Sequence, residues 1–354
     1  MGSPLFFGFV SFLLSLVSGY PAVFLAERMG LMDIPGSAPH KQHSRPTPLA
    51  GGILLVVALG GMALLFRDSL NEDVLAVLAG ALVIFLFGLW DDRRGLSAGP
   101  KLIGQLLASA ILIYFGVQVR FMTILFQYFG WPLQLGQVMN IAITLFWLIG
   151  ITNALNMIDS MDGIVAGIGA IASAFFMEAT SLSGQPTLSS WAAALLGIGI
   201  GLYIWNGMAS RFFLGDSGAQ TMGFLLASFG ILYNPLNRNP ESSWIVPILL
   251  LAVPIFDTTL VTLSRLRRGQ RIGSGRRDHT YHRLIMLGFT PKNAVLATHL
   301  TAFLISFIAL LTLYIPSSIA LIFFFATIAC GLAFLFWLER KPTLDDPTGN
   351  IPHD

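Results

Sequence analysis

The sequence has little charge and almost no cysteine. Only 11% of its 354 residues are charged, whereas globular domains contain about 25%. A soluble chain of this length could not cover its surface with so little charge, which excludes an ordinary cytosolic enzyme. The single cysteine, Cys330, excludes a disulfide framework and a cysteine-based zinc site. The net charge of only +2 excludes a bulk attraction to nucleic acid.

Long apolar runs take the place of the missing charge. The mean hydropathy is +0.75, and a bilayer core of about 30 Å takes about 20 helical residues to cross. Eleven runs are candidate spans: 4–26, 49–66, 73–90, 102–119, 138–157, 163–181, 188–206, 217–233, 244–264, 293–314 and 316–338. We therefore expect an all-α, polytopic integral membrane protein with about eleven transmembrane helices. The number falls to ten if the short, glycine-rich runs at 49–66 or 217–233 do not cross.

Lysine and arginine are unevenly distributed among the connections between these runs. Of the 20 such residues, 3 lie in one alternating set and 17 in the other, which comprises 27–48, 91–101, 158–162, 207–216, 265–292 and the tail from Glu339. The positive-inside rule places the richer set in the cytoplasm, the N-terminus outside and the C-terminus inside, which requires an odd number of spans. We expect one domain over 1–354 in the cell membrane, with cytoplasmic active-site loops at 27–48, 91–101, 156–163, 206–218 and 265–292.

Five aspartates lie at the predicted cytoplasmic ends of spans. They are Asp91, Asp92, Asp159, Asp162 and Asp216, and they come from three connections. Five carboxylates at one interface repel one another unless a cation is present, and such hard oxygen ligands suit Mg²⁺ or Mn²⁺. An isolated pair of acids is as well explained by the end of a helix. Three connections on one side, all with acids near glycine, favour a shared site.

Basic residues occupy the same predicted face. His279 and His282 lie within the segment 276–283, and the first connection contains Lys41 and His43. An arginine-rich loop also determines topology and contacts anionic lipid. Two histidines three residues apart could ligate a metal, but no cysteine accompanies them, so donation to phosphate is favoured over zinc binding. Carboxylates for a cation together with basic side chains for phosphate are typical of a phosphoryl-transfer site.

Together these motifs resemble those of the polyprenyl-phosphate N-acetylhexosamine-1-phosphate transferases, membrane enzymes of the glycosyltransferase 4 type related to bacterial translocase I. The resemblance runs from about Asp33 to Lys292. It rests on Asp91-Asp92, on Asn156-x-x-Asp159-x-x-Asp162-Gly163, on the segment 206–218 and on the histidine loop. Each motif alone is weak, but their order and their common side of the membrane are specific.

The resemblance implies an activity, a cofactor and roles for individual residues. The expected reaction transfers a sugar 1-phosphate, N-acetylglucosamine 1-phosphate by preference, from a UDP-sugar to undecaprenyl or another polyprenyl phosphate, releases UMP and initiates cell-envelope glycan synthesis. Mg²⁺ or Mn²⁺ is the implied cofactor, membrane lipids and a second copy of the chain are implied partners, and nucleic acid is not. Carried over by position, the metal ligands are Asp216, Asp91 and Asp92; the catalytic residues are Asp91, Asp92, Asp159, Asp162, His279 and His282; and the substrate-binding residues are Lys41, His43, Asn156, Asn206, Arg211, Phe213, Arg277 and Arg283. Phe213 would stack on the uracil ring.

Departures from the family pattern bear on the donor sugar. Tyr281 stands where many relatives have a third histidine, and the three consecutive histidines followed by glutamate of translocase I are absent. These differences disfavour UDP-MurNAc-pentapeptide and favour UDP-GlcNAc as the donor, with UDP-GalNAc or another UDP-sugar left open.

Two rival classes fit the sequence less well. The segment 159–163 begins like the motif of the CDP-alcohol phosphotransferases, but the last two metal ligands of that motif would fall on Thr180 and Gly184. A transporter of an anionic or lipid-linked substrate would place charges along a path through the membrane. Only Glu178 and Asp257 lie well within predicted spans, and Asp257 is equally well explained by an internal tie to a threonine or an arginine.

The chemistry leaves two routes open. A phosphate monoester is mostly a dianion at pH 7, and an aspartate with a pKa near 4 is a poor base for it. We therefore expect a single in-line displacement, in which Asp91 and Asp92 position the metal and the acceptor. A two-step route through a phosphorylated Asp91 or Asp92 is the alternative.

Overall fold

The computed structural model describes residues 3–35, 45–235, 243–270 and 278–341. Within these ranges lie fourteen α-helices and one two-stranded antiparallel sheet. The helices are α1 (Pro4–Arg28), α2 (Gly51–Leu65), α3 (Glu72–Arg94), α4 (Ala98–Tyr114), α5 (Phe121–Tyr128), α6 (Leu133–Ile158), α7 (Ile164–Leu182), α8 (Pro186–Leu202), α9 (Gly215–Leu232), α10 (Ile245–Leu250), α11 (Ala252–Arg267), α12 (Thr280–Met286), α13 (Pro291–Leu311) and α14 (Ser317–Glu339). The strands are β1 (Met32–Asp33) and β2 (Thr47–Pro48), and a π-helical turn, Tyr203–Met208, follows α8.

Every predicted span coincides with helical structure. In the described part of the chain, seven helices are long and apolar enough to cross a membrane, namely α1, α3, α6, α7, α8 with its π-helical turn, α13 with the turn after it, and α14. Two more apolar helices, α2 and α4, are shorter. The prediction of an all-α, polytopic membrane protein is confirmed. The predicted span 244–264 is two helices, because Pro254 has no N–H to donate and its ring crowds the carbonyl of Leu250.

Local sequence sets the ends of α3, the helix that carries two of the predicted site residues. Asn71 caps its first turn, where Asn71 Oδ1 accepts from the backbone N–H of Val74 at 2.9 Å. Gly95 ends the helix in a left-handed conformation with φ of +63°. Asp91 and Asp92 therefore lie in the last turn of α3, at the end of the bundle rather than within it.

Small residues allow α1 and α8 to approach closely. A side chain at Gly197 would meet the carbonyl oxygen of Gly8 at 2.1 Å, and one at Gly201 would meet Ser15 Oγ at 1.8 Å. Lipid tails are as apolar as the helices, so close backbone packing is a main source of helix association in a membrane. The small residues thus hold α8 in the interior of the bundle.

Connections that are distant in sequence meet at one end of the bundle. Hydrogen bonds join the end of α3 to the start of α9, and join the α6–α7 turn both to the π-helical turn and to α12. β2 lies beside the segment before α9, since the N–H of Phe213 donates to the carbonyl of Pro48 at 2.9 Å. The described parts of the predicted cytoplasmic loops therefore lie together at one end of the bundle.

Candidate active site

The N-terminus of α9 is capped by Asp92 from α3. Asp92 Oδ1 accepts from the backbone N–H of Asp216 at 2.7 Å, and Asp92 Oδ2 accepts from the N–H of Ser217 at 3.1 Å and from its hydroxyl at 2.5 Å. Gly215 has φ of +72°, and a side chain there would meet Asp92 Oδ2 at 2.8 Å, so this approach requires glycine. Both oxygens of Asp92 serve the helix cap, and its expected roles as a metal ligand and a catalytic residue stay predictions.

Asp91 and Asp216 share a cation from within the chain. The ammonium group of Lys101, in the first turn of α4, forms ion pairs with both carboxylates. Asp91 Oδ1 also accepts from the backbone N–H of Leu96 at 2.5 Å, which fixes the rotamer of this side chain. Sequence reasoning used Lys101 only for membrane orientation. The available signal was a lysine one turn into a helix that starts shortly after the two aspartates.

Asn156 and Asp159 join the aspartates described above, which together form the acidic cluster: Asp91, Asp92, Asp159, Asp162 and Asp216. The side chain of Asn156 lies beside Asp216 and favours its ionised form, and its Oδ1 is buried with no hydrogen-bond partner in the part of the chain that the structure describes. Burial, followed by repulsion from Asp216, Asp162 and Asp92, raises the pKa of Asp159 well above its usual range. The carboxylates from three connections thus act on one another, and the predicted convergence of the acids is what the structure shows.

Asn206 holds two loops together. Its side chain is buried; its Oδ1 accepts from the backbone N–H of Gly163 at 2.7 Å, and its Nδ2 donates to the carbonyl of Phe212 at 2.9 Å. The sequence prediction placed Asn206 against the substrate. In the structure both ends of the amide bond the backbone and fix the α6–α7 turn to the segment before α9, and the role in binding substrate stays a prediction.

Asp257 positions the histidine segment. Asp257 Oδ2 lies 2.7 Å from Nδ1 of His279, and Asp257 Oδ1 accepts from the backbone N–H of Thr280 at 2.7 Å. The internal tie considered from the sequence is therefore real, with a histidine as its side-chain partner. Because Nδ1 faces the carboxylate, Nε2 is the nitrogen of His279 that remains for another partner.

Tyr281 connects this segment to the acidic turn. Its hydroxyl donates to Ser160 Oγ at 2.6 Å and lies 2.8 Å from Nε2 of His282. Ser160 follows Asp159 directly. α12 therefore lies against the α6–α7 turn, which contains the aspartate whose pKa is raised. The position where many relatives have histidine is therefore filled by a phenol that holds the two motifs together.

Ion pairs fix the start of α12. The guanidinium of Arg265 bonds both oxygens of Asp278, at 2.7 and 2.9 Å. Burial opposes the ionisation of Asp278, but this bidentate pair outweighs it and, with His279, holds the pKa of Asp278 below its usual range. Arg283 was expected to bind substrate; in the structure its side chain is fully buried and donates to Asp278, Ser264, Leu338 and Glu339, and the substrate role stays a prediction.

The remaining predicted residues lie at the edge of the cluster or outside the described ranges. Arg211 is exposed and Phe213 is half-buried in the segment before α9. Lys41, His43 and Arg277 lie outside the described residues. Their predicted roles in binding substrate stay predictions.

The oxygen donors fit a magnesium ion that arrives with a diphosphate. Within the described ranges, no group of three or more histidine, cysteine, aspartate or glutamate side chains is placed to hold a metal ion. Asp91 and Asp216 nevertheless share one positive charge, and the unpaired oxygen of Asn156 is buried beside them. Mg²⁺ usually takes one or two carboxylates and completes its shell with phosphate oxygens and water. These residues suit that arrangement better than a metal site made by protein alone.

A large apolar cavity lies next to the histidine segment. Its volume is about 580 Å³, and it is lined mainly by aliphatic and aromatic side chains of α10, α11, α12, α13 and α14. Asp257, Thr280 and Tyr281 contribute polar groups to its wall. The cavity and the acidic cluster thus share Tyr281, which lines the cavity and bonds the α6–α7 turn.

Acids that share a cation, a histidine segment joined to the α6–α7 turn through Tyr281 and an adjoining apolar cavity suit an enzyme that joins a phosphorylated water-soluble substrate to a lipid. Comparison with known proteins agrees. The family model described as Glycosyl transferase family 4 matches residues 74–234. This range includes the Asp91-Asp92 pair, the α6–α7 turn and the start of α9.

Curated relatives extend the similarity over most of the chain. The decaprenyl-phosphate N-acetylglucosaminephosphotransferase of Mycobacterium tuberculosis is 28% identical over 350 residues, which are 91% of this chain and 85% of the relative. The enzyme of the same name from Mycobacterium leprae is 29% identical over 330 residues, 84% and 82% of the two chains. The undecaprenyl-phosphate alpha-N-acetylglucosaminyl 1-phosphate transferase of Escherichia coli is 27% identical over 310 residues, 85% and 82% of the two chains. The chain is thus similar to glycosyl transferase family 4 in its central part and to polyprenyl-phosphate N-acetylglucosamine-1-phosphate transferases over most of its length, the family that the sequence motifs predict.

Proposed function

We propose that this protein transfers N-acetylglucosamine 1-phosphate from UDP-N-acetylglucosamine to a polyprenyl phosphate and releases UMP. The proposal rests mainly on one observation: a charged cluster of side chains adjoins an apolar cavity. Asp91 and Asp216 share a cation at one end of the bundle, and Tyr281 joins that end to a cavity of about 580 Å³ lined by apolar side chains. A diphosphate suits the first environment and a prenyl chain suits the second. The names of the relatives support the same acceptor and the same sugar.

The site favours a single displacement. An oxygen of the carrier phosphate bonds to the β-phosphorus of the UDP-sugar, and the bond from that phosphorus to the bridging oxygen breaks, so UMP leaves with the electron pair. The carrier phosphate carries about −1.5 to −2 charge at pH 7 and needs no base. Asp91 is paired with Lys101 and Asp92 caps α9, so neither is placed as a free nucleophile. Inversion of configuration at the β-phosphorus is the expected result, and retention would indicate a phosphorylated aspartate.

We assign the magnesium ion to Asp216 and Asp91, since their carboxylates already share the ammonium group of Lys101. Mg²⁺, when bound, would neutralise the charge of the diphosphate. Asp92 would act on this site through the helix that carries Asp216. Lys101 would hold the two carboxylates together before substrate arrives and would then turn to phosphate oxygens. Mn²⁺ has the same ligand preference and is the alternative cofactor.

The membrane orientation is part of the proposal. We place eleven helical segments across the plasma membrane, with α10 and α11 as one broken crossing, and the acidic cluster in the cytoplasm. The distribution of 17 lysines and arginines against 3 supports this orientation. A fluorescent protein that folds only in the cytoplasm should report when fused after Asp354 and stay dark when fused before Met1.

The test is the release of UMP by the detergent-solubilised protein. UDP-N-acetylglucosamine, a polyprenyl phosphate and Mg²⁺ should yield UMP and a sugar diphosphate lipid in equal amounts, and a chelator should stop both. UDP-GalNAc and UDP-MurNAc-pentapeptide, offered at the same concentration, test the donor sugar. Release of UMP without a lipid product, or turnover that survives the chelator, would contradict the proposal.

A further inference from the structure

Arg283 joins the end of the last helix to the histidine segment. Its Nη1 donates to the carbonyl of Leu338 at 2.7 Å, and its Nη2 donates to Glu339 Oε2 at 3.1 Å and to Ser264 Oγ at 2.8 Å. Its Nε donates to the carbonyl of Asp278 at 3.1 Å. One guanidinium therefore ties α11 and α14 to the residue that precedes the histidines.

Glu339 occupies a position that is unfavourable without this partner. It is the last residue of α14, where the negative end of the helix dipole disfavours a carboxylate. Its side chain is almost fully buried, as is that of Arg283. A buried carboxylate and a buried guanidinium each require the other, because an unpaired charge in such a place is strongly destabilising.

α12 depends on such ties for its position. It has only seven residues, Thr280–Met286, and His279 before it provides no side-chain cap. An isolated helix of this length is not stable in water. Asp257 holds its start and Arg283 holds its middle. Because α14 also lines the apolar cavity through Leu335, the same helix sets the cavity wall and the histidine segment.

We propose that Glu339 is a positioning residue, which acts through Arg283 to hold Tyr281 and His282 against the α6–α7 turn. The inference rests on the proposed function of that site, since it assigns the two side chains to the transfer reaction. An arginine is required at position 283, because a lysine lacks the planar fork that reaches four acceptors. Glu339 itself has no contact with substrate in this scheme.

The first test compares Glu339→Gln, which removes the charge and keeps an acceptor, with Glu339→Asp, which keeps the charge. Glu72→Gln is the matched control, because Glu72 is exposed in the first turn of α3, at the opposite end of the bundle from Asp91 and Asp92. Misplaced catalytic groups cost about ten- to a hundredfold in rate, so kcat per folded protein should fall at least about tenfold in Glu339→Gln. The KM for UDP-N-acetylglucosamine should change little, and Glu339→Asp and Glu72→Gln should keep most of the activity. Wild-type kcat in Glu339→Gln would overturn the proposal.

A second measurement separates positioning from general damage. Residues that act as a unit are not additive, so Glu339→Gln should cost little more in a Tyr281→Phe background. Hydrogen exchange should become faster in the peptide 278–287 and stay unchanged in peptides from α8. If the losses in kcat of Glu339→Gln and Tyr281→Phe multiply in the double variant, Glu339 is only structural. The same conclusion follows if hydrogen exchange in Glu339→Gln becomes faster throughout the protein. If the wild-type protein releases no UMP while Glu339→Gln still loosens 278–287, the proposed function fails and the tie itself stands.

Discussion

Asp92 Oδ2 lies 2.5 Å from the hydroxyl of Ser217 and 3.1 Å from its backbone N–H. The adjacent acid, Asp91, forms its ion pair with Lys101 instead. Successive residues of a helix point about 100° apart, so two neighbouring carboxylates in the last turn of α3 reach different partners. Asp92 holds the helix that carries Asp216, and Asp91 shares a cation with Asp216.

Replacing Asp216 should affect turnover far more than replacing Asp92. Asp216→Asn removes one of the two carboxylates that share the cation, and we expect turnover to collapse with little change in folding. Asp92→Asn keeps one cap acceptor and should retain at least about tenfold more turnover than Asp216→Asn. It should lower stability by about 1 kcal/mol, as the loss of a helix cap does. UMP release and thermal unfolding in detergent measure the two effects.

If Asp216→Asn and Asp92→Asn are equally inactive, Asp92 is a metal ligand, as the family resemblance implies. Asp68→Asn is the control for the substitution itself, since Asp68 is exposed at the other end of the bundle, just before α3.

Removal of Lys101 should change the magnesium dependence. Lys101 and Mg²⁺ compete for the carboxylates of Asp91 and Asp216, so Lys101→Gln should lower the Mg²⁺ concentration for half-maximal activity. The maximal rate should fall about tenfold or more, because a group that stabilises the diphosphate is lost. Magnesium titrations of UMP release check both statements. Arg94→Gln, at an exposed position at the end of α3, should leave the curve unchanged.

Asp159→Asn should stabilise the folded protein at neutral pH. The folded state raises the pKa of Asp159, so it binds the proton more tightly than the unfolded chain. That preference stabilises the fold below the unfolded pKa of about 3.9 and is lost as the pH rises through the folded pKa. The neutral amide avoids the repulsion, so the unfolding temperature at pH 7 should rise while activity falls.

The pH profile of thermal unfolding gives the check on Asp159. The wild type should lose stability relative to Asp159→Asn as the pH rises, and added Mg²⁺ should reduce the gap. A variant less stable than the wild type at pH 7 would show that Asp159 is held by a favourable contact.

Asp257 and His279 should behave as one unit. Asp257→Asn removes the charge that orients the ring, and His279→Gln removes the ring. Each should lower kcat about tenfold, and the double variant should lose little more than the worse single one, because both changes break the same contact of 2.7 Å. Steady-state kinetics of the three variants decide this. If the losses in kcat of the two single variants multiply in the double variant, Asp257 and His279 act separately.

Phe213 should determine affinity for the nucleotide. Stacking of a base on an aromatic ring contributes about 1–3 kcal/mol, so Phe213→Ala should raise the KM for the UDP-sugar about tenfold. Phe213→Tyr keeps the ring and should remain near the wild type. An unchanged KM in Phe213→Ala would place uracil elsewhere.

How much the sequence revealed differs between the fold and the site. Apolar length is a local property, so the runs from 4–26 to 316–338 predicted the long helices, whereas the break near Pro254 and the short helices α5 and α12 went unnoticed. The acids Asp91 and Asp216 were found because they lie beside helix ends and glycine. Lys101 was missed as a site residue, because a lysine at the start of a membrane helix is also expected from orientation alone.

By itself, the sequence determined that the chain is a helical membrane protein with its acids at one end, because helix length, helix ends and charge distribution depend on neighbouring residues. Only the tertiary structure decided which groups work together. Lys101 and Asp216 are 115 residues apart, and Arg283 and Glu339 are 56 apart. Whether a charged side chain faces a substrate or a buried partner depends on helices brought together by packing, and no local pattern contains that information.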